Sequence, residues 1–118
     1  MSDDRWHFVA ELHMLTTKEG GRATAFVAGK SIYRPQFSMS SFPSTTSCFI
    51  DKIEGKEQLE PGETGVIWAT LLRPEFFAQE LKSGARFELH EGSRCVGLGT
   101  IKDVSPQLIT CKFMGHDT

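Results

Sequence analysis

The sequence predicts an all-β fold, an antiparallel barrel or sandwich, and three observations support that prediction. Several runs alternate between apolar and polar residues, which is the two-residue period of a strand with one face toward a core. About seven or eight such short runs occur, with turn residues between them at regular spacing. Nine Phe, two Trp and many aliphatic residues supply the bulk for one core.

The length of 118 residues fits one domain, and the composition excludes several classes of protein. With 39% hydrophobic residues the chain is not a disordered tail. The formal net charge of −2 excludes a bulk electrostatic binder of DNA, although a local basic stripe stays open. No apolar run reaches the roughly 20 residues of a transmembrane helix, and the acidic start differs from a signal peptide. We therefore expect a cytoplasmic protein with one domain over 1–118.

The first half of the chain contains four predicted strands. The first is the clearest, because every second residue is apolar and would face the core: Trp6, Phe8, Ala10, Leu12 and Met14. Gly20-Gly21 follows and predicts a hairpin turn, since glycine adopts the positive φ that such turns need. The Ser- and Thr-rich segment 40–47 with Pro43 predicts a loop or an irregular edge. The four strands are predicted near 6–15, 24–28, 36–39 and 48–53.

The second half of the chain contains turns and further strands. Segment 66–72 is apolar on both faces, which predicts a central strand, and 74–81 predicts a short helical turn. Within a strand at 95–101, Gly97 and Gly99 indicate a close backbone approach or a barrel bend. Further strands are predicted near 85–90 and 108–114, and turns near 60–65 and 91–94.

The sequence lacks the motifs of common catalytic and metal sites. Gly29-Lys30-Ser31 resembles the end of a phosphate-binding loop, but that motif needs a glycine five positions before Gly29, where this chain has Thr24. His7 and His13 share a strand face, yet six residues of strand separate them by roughly 20 Å, too far to hold one metal ion. His90 and Glu91 point to opposite faces of their strand. We therefore expect no enzyme activity, no cofactor and no metal site.

The three cysteines, Cys48, Cys95 and Cys111, are odd in number and far apart. None of them belongs to a Cys-x-x-Cys motif. Buried, reduced thiols are the favoured interpretation, because free cysteine behaves as a small hydrophobic residue. A redox or metal-binding role for the cysteines is the alternative.

Three strings of residues follow one another in a distinctive order. The first is Glu19-Gly20-Gly21-Arg22-Ala23-Thr24-Ala25-Phe26, and Tyr33-Arg34-Pro35-Gln36-Phe37 comes next. The third is Arg86-Phe87-Glu88-Leu89-His90-Glu91-Gly92-Ser93-Arg94-Cys95-Val96-Gly97. Together they resemble the C-terminal domain of elongation factor Tu, which has Glu-Gly-Gly-Arg-x-Thr-Pro-Phe, Gly-Tyr-Arg-Pro-Gln-Phe and Arg-Phe-Ala-x-Arg-Glu-Gly-Gly-Arg-Thr-Val-Gly. The resemblance covers 8–104 and leaves 105–118 as a tail outside the family pattern.

The resemblance implies a six-stranded antiparallel Greek-key β-barrel, with a seventh strand as an option. In the family, a GTPase domain and a second barrel precede this one, and 118 residues leave room for neither. The resemblance therefore implies a non-catalytic module without GTP hydrolysis. The family's barrel grips the acceptor and T stems of aminoacyl-tRNA and also contacts proteins. We accordingly expect tRNA or another structured RNA, or a protein, as the partner, and neither DNA nor a membrane.

The same resemblance marks seven residues as RNA-binding. Arg22 is the arginine of the first turn, and Arg34 and Gln36 belong to Tyr-Arg-Pro-Gln-Phe. Arginine forms bidentate contacts with phosphate, whereas Thr, Gln and backbone amides reach phosphate and 2′-hydroxyl groups. The full set is Arg22, Arg34, Gln36, Thr45, Arg73, Glu91 and Gly92.

Departures from the family motifs lower the positive charge of this surface. The family's Arg-Thr-Thr-Asp-x-Thr-Gly loop is replaced at 40–46, and His90 stands where the family has arginine. The remaining arginines could also pair with neighbouring glutamates instead of RNA. A protein–protein interaction module that reuses the barrel and binds no RNA is therefore the alternative function. An enzyme with a cryptic site is the third hypothesis.

Overall fold

Residues 6–29, 34–40, 42–77 and 79–105 are described by the computed structural model of the protein. Within these ranges the chain forms eight β-strands and two short 3-10 helices. The 3-10 helices are Thr17–Glu19 and Pro74–Phe77. The strands are β1 (Phe8–Met14), β2 (Phe26–Val27), β3 (Gln36–Met39), β4 (Phe42–Ile53), β5 (Gln58–Leu59), β6 (Thr64–Leu71), β7 (Arg86–Glu91) and β8 (Arg94–Val104).

Six strands close into an antiparallel barrel in the order β1-β6-β4-β3-β7-β8, and β8 pairs back to β1. This closure confirms the predicted six-stranded barrel and excludes the sandwich. The chain passes from β6 to β7 across the positions of β4 and β3, which is a Greek-key type of connection. Strands β2 and β5 form a separate two-stranded antiparallel ribbon. In the part of the chain that is described, no helix has the length and apolar character needed to cross a membrane.

Alternate residues of the strands fill the barrel interior. Along β1 the face predicted from alternation is buried, namely Phe8, Ala10, Leu12 and Met14. An aromatic cluster lies at the centre, with ring centroids 4.8 Å apart in the closest pair and 5.7 Å in the widest, and its members are Phe8, Phe37, Phe77 and Phe87. Aromatic pairs of this kind contribute about 0.5–1.5 kcal/mol each beyond the area that they bury. The cluster joins β1, β3 and β7 to the second 3-10 helix.

Segment 40–47, predicted as a loop or an irregular edge, is mostly strand. β4 begins at Phe42 and continues to Ile53, with a register shift between Ile50 and Lys52. The first part of β4 pairs with β3, and the pairs include Gln36 with Ser47. Hydrogen bonding to a neighbouring strand thus overrides the local preference of Ser and Thr for loops. The prediction missed this because a run of Ser and Thr with a proline is also typical of loops.

Gly20-Gly21 does not join β1 and β2 as a hairpin. β1 pairs with β6 and β8, whereas β2 pairs with β5. Thr16 instead begins the first 3-10 helix with a capping box, in which its side chain accepts a hydrogen bond from the backbone of Glu19. Gly20 ends that helix at a φ of 96°. Of the two glycines, Gly20 therefore has the predicted positive φ, but it lies in a helix cap and not in a hairpin turn.

Smaller differences concern element lengths and the cysteines. The strand predicted at 24–28 is only Phe26–Val27, and the strand predicted at 95–101 extends over Arg94–Val104. Cys48 is buried as predicted, whereas Cys95 is only half-buried because it lies on the outer face of β8. The predicted strand at 108–114, Cys111 and the tail after residue 105 lie outside the described residues.

Candidate functional site

Five of the seven predicted RNA-binding residues line one shallow depression of about 300 Å³. Pro35 and His90 complete its lining. The depression lies where the start of β3 meets the end of β7. The five residues are Arg22, Arg34, Gln36, Glu91 and Gly92.

Strand pairing and a tight turn bring these residues together. Gln36 on β3 is the register partner of His90 on β7, so the chain around Gln36 runs beside the end of β7. Gly92 has a φ of 65° in the turn between β7 and β8, a conformation that favours glycine. The capped 3-10 helix directs the chain so that Arg22 approaches from the loop before β2.

Arg22 is held in place by an ion pair and several hydrogen bonds. Its Nη1 atom lies 2.5 Å from Oε2 of Glu91, and its Nε donates to the carbonyl oxygen of Thr24 at 3.1 Å. Both side chains of the ion pair are largely buried, with 21% and 25% exposed. Arg94 approaches the other carboxylate oxygen of Glu91 at 3.5 Å. Glu91 therefore balances part of the positive charge of two arginines.

Arg34 is the exposed cation of the depression. Among the residues that the structure describes, it forms no ion pair and no side-chain hydrogen bond. Gln36 beside it is oriented by two hydrogen bonds on β4. Its Nε2 donates to Oγ of Ser47 at 3.3 Å, and its Oε1 accepts from Oγ1 of Thr45 at 3.0 Å. Thr45, outside the lining of the depression, is thus joined to it through Gln36.

Arg73 lies apart from the depression. It follows β6, and its backbone N–H donates to Oγ1 of Thr46 at 2.9 Å. Its guanidinium forms an exposed ion pair with Glu75 at 3.2 Å. Exposed pairs of this kind contribute little to stability, about 0–1 kcal/mol. The structure thus gathers five predicted residues, connects Thr45 to them, and leaves Arg73 on the far side of β4.

A second and larger groove of about 510 Å³ lies on the outer face of β1, β8 and β7. Charged or titratable groups from β1 and β7 line it, and β8 contributes the exposed side chain of Leu98. The charged and titratable lining residues are Glu11, His13, Arg86 and Glu88. The sequence analysis did not single out this groove, because its walls come from strands distant in sequence.

Glu88, His90 and Cys95 form a compact group beside the depression. Nε2 of His90 lies 2.8 Å from Oε1 of Glu88, and Sγ of Cys95 donates to the carbonyl oxygen of Gly97 at 3.6 Å. The three potential ligand atoms all lie within 4.8 Å of one another. Burial, with a smaller contribution from Glu88, raises the pKa of the Cys95 thiol.

The sequence contained a signal for this group that the analysis overlooked. Residues 88 and 90 share one face of a strand because they are two positions apart. The turn at Gly92 then places Cys95 opposite His90 in the β7–β8 pair. From the sequence, only His7 and His13 were considered as a pair that could hold a metal ion.

The chain matches a known protein family. The family described as the elongation factor Tu C-terminal domain matches residues 3–105. The match includes all eight strands and every residue that lines the depression.

Proposed function

Because the chain belongs to the family of elongation factor Tu C-terminal domains, we propose that this translation-factor-like module binds structured RNA, tRNA in particular. The domain of this family is non-catalytic and is not a GTPase. The proposed contact surface is the depression between β3 and β7. One observation carries the proposal: the depression brings together residues that are far apart in sequence, such as Arg22 and Glu91.

Each residue of the depression has a chemical role in this proposal. Arg34 contacts a phosphate, since its guanidinium is exposed and can form two parallel hydrogen bonds. Gln36 has a second N–H on Nε2 besides the one given to Ser47, and this N–H can reach a phosphate or 2′-hydroxyl oxygen. Gly92 lets an RNA backbone approach closely because it has no side chain. Glu91 acts indirectly by orienting Arg22.

Arg34→Ala tests the proposal most directly. The protein is titrated against fluorescently labelled tRNA by anisotropy at two salt concentrations. We expect the dissociation constant to rise about tenfold, because a hydrogen bond to a charged group contributes about 1.5 kcal/mol. The slope of the logarithm of the binding constant against the logarithm of the salt concentration should also become shallower by about 0.7–0.9. This is the change expected for the loss of one phosphate contact.

Arg86→Ala is the matched control, because Arg86 is exposed and lies at the opposite end of β7, outside the depression. It removes the same charge, so it should leave the dissociation constant nearly unchanged. Equal dissociation constants for the wild type and Arg34→Ala would contradict the proposed surface. Equal weakening by both substitutions would indicate binding through net charge alone.

A protein partner is the second candidate function, and two observations favour it. Arg22 and Arg73 are both engaged in ion pairs, which reduces the positive charge available to phosphate. Leu72, next to Arg73 in the sequence, is 60% exposed, and a protein partner would cover it. Absence of saturable tRNA binding at low salt would favour this candidate. Capture of a partner from lysate by the wild type, with loss of capture by Leu72→Ser, would then support it.

A further inference from the structure

We propose that Glu88, His90 and Cys95 form a binding site for a divalent transition-metal ion of the zinc class. One carboxylate oxygen, one imidazole nitrogen and one sulfur meet on the outer face of the β7–β8 hairpin. Carboxylate, imidazole and thiolate are the three ligand types that bind Zn²⁺ in proteins. The proposal does not depend on RNA binding.

The geometry of the group suits a small ion. The three ligand atoms lie within 4.8 Å of one another. An ion with ligands at about 2.0–2.3 Å in tetrahedral geometry holds them roughly 3.3–3.8 Å apart. Small side-chain rotations reach that spacing: the hydrogen bond between Glu88 and His90 lengthens, and Sγ of Cys95 moves inward.

Strand pairing brings the three residues to one face of the β7–β8 hairpin, across a register shift between Leu89 and His90. Glu88 and His90 are two positions apart on β7, so both point away from the barrel core. Cys95 is the register partner of His90 across the hairpin. Two ligands thus come from one strand and the third from its hydrogen-bonded neighbour, so the unfolded chain does not present this arrangement.

The chemistry of the three side chains fits a borderline or soft metal ion. The imidazole of His90 and the thiolate of Cys95 each offer a lone pair, and the carboxylate of Glu88 adds negative charge.

Three protein ligands leave one tetrahedral position open. Structural zinc sites usually have four protein ligands, whereas a site with three keeps a water molecule or an external ligand in the fourth position. His90 also lines the depression that contains Arg34. The open position is therefore accessible to a phosphate or carboxylate group of a bound molecule.

Titration of the metal-free full-length protein with Co²⁺ tests the site, because Co²⁺ replaces Zn²⁺ in such sites and is visible by absorption. We expect one Co²⁺ per chain, with a near-ultraviolet thiolate-to-cobalt charge-transfer band that Zn²⁺ abolishes by displacement. Cys95→Ser should eliminate the band. Glu88→Gln should lower the affinity for Co²⁺ by at least about tenfold. Even residues that only hydrogen-bond to a metal ligand contribute that much to metal affinity.

The controls separate this site from other residues of the chain. His13 also lies on the outer face of the barrel, where its Nδ1 pairs with Oγ1 of Thr64, so His13→Gln should leave binding unchanged. Glu88 is exposed, and Glu88→Gln therefore tests the site even if Cys95→Ser folds poorly. The proposal is overturned by the absence of a charge-transfer band in the wild type. Retention of the band in Cys95→Ser with its loss in Cys111→Ser would also overturn it.

Discussion

His7, just before β1, is a half-buried histidine whose ring nitrogen accepts a backbone hydrogen bond. The N–H of Leu71 donates to Nδ1 of His7 at 3.0 Å. Burial lowers the pKa of His7 below its ordinary value of 6.5, while the nearby Asp51 carboxylate opposes that shift. A protonated Nδ1 cannot accept a hydrogen bond, so protonation conflicts with the fold at this point.

The free energy of unfolding should therefore fall as the pH decreases below about 6.5. Here the folded-state pKa of His7 is below the unfolded value, so the unfolded chain binds the proton more readily. The stabilising contribution of neutral His7 is complete above 6.5 and is lost as the pH falls toward the folded pKa. Urea unfolding at pH 7.5 and at pH steps down to about 5 measures this loss.

His7→Asn is the control for this prediction, because its side-chain oxygen can accept the Leu71 N–H and does not titrate in this range. The variant should lose less stability over the same pH interval. Asp51, whose pKa burial raises, is present in both proteins, but in the variant it loses its attraction to protonated His7. If the free energy of unfolding falls with pH equally in the wild type and in His7→Asn, groups other than His7 cause the pH dependence.

At the scale of elements, the β7–β8 hairpin depends on a glycine that faces an aromatic ring. Gly99 on β8 is the register partner of Phe87 on β7. A Cβ atom at Gly99 would lie well inside the contact distance of the Phe87 ring. The ring thus covers the glycine, and the aromatic cluster prevents it from moving away.

Gly99→Ala should destabilise the protein by about 1–3 kcal/mol, the usual cost of overpacking a core. Urea unfolding measures this change in the free energy of unfolding, provided that the wild type and the variant have the same m-value. Gly97→Ala is the matched control on the same strand: its Cβ would approach the flexible ends of Leu12 and Met14 at 3.2 and 3.3 Å, so a smaller loss is expected. A Gly99→Ala variant as stable as the wild type would show that Phe87 moves freely.

At the scale of the whole molecule, one aromatic cluster connects the barrel wall to the segment that crosses its end. Phe37 contacts Phe8, Phe77 and Phe87, with its nearest ring centroid 4.8 Å away. Phe77 belongs to the 3-10 helix between β6 and β7. Phe37 is therefore the centre of the core as well as a neighbour of Gln36 in the proposed RNA surface.

Phe37→Ala should cost about 3–5 kcal/mol, because it removes a buried ring and leaves a cavity. That is a large part of the 5–15 kcal/mol by which domains are usually stable, so the variant should unfold near room temperature in little denaturant. Phe49→Ala, on the outer face of β4, should cost clearly less. Similar urea midpoints for the two variants would contradict the central position of Phe37.

Much of the fold followed from local patterns. Alternation along 6–15 identified the buried face of β1, and the in-strand glycines indicated the close approach that Gly99 makes to Phe87. The family motifs identified residues that the structure gathers at the depression. Alternation works here because the side chains of a strand point to opposite faces whatever the strand pairs with.

Only the tertiary structure decided which strands pair and which side chains meet. The ribbon of β2 and β5 and the ion pair of Arg22 with Glu91 both join residues distant in sequence. By itself, the sequence determined most of the strands, their inward faces and the family. Strand order and charge pairing depended on long-range hydrogen bonding and packing, which no local period encodes.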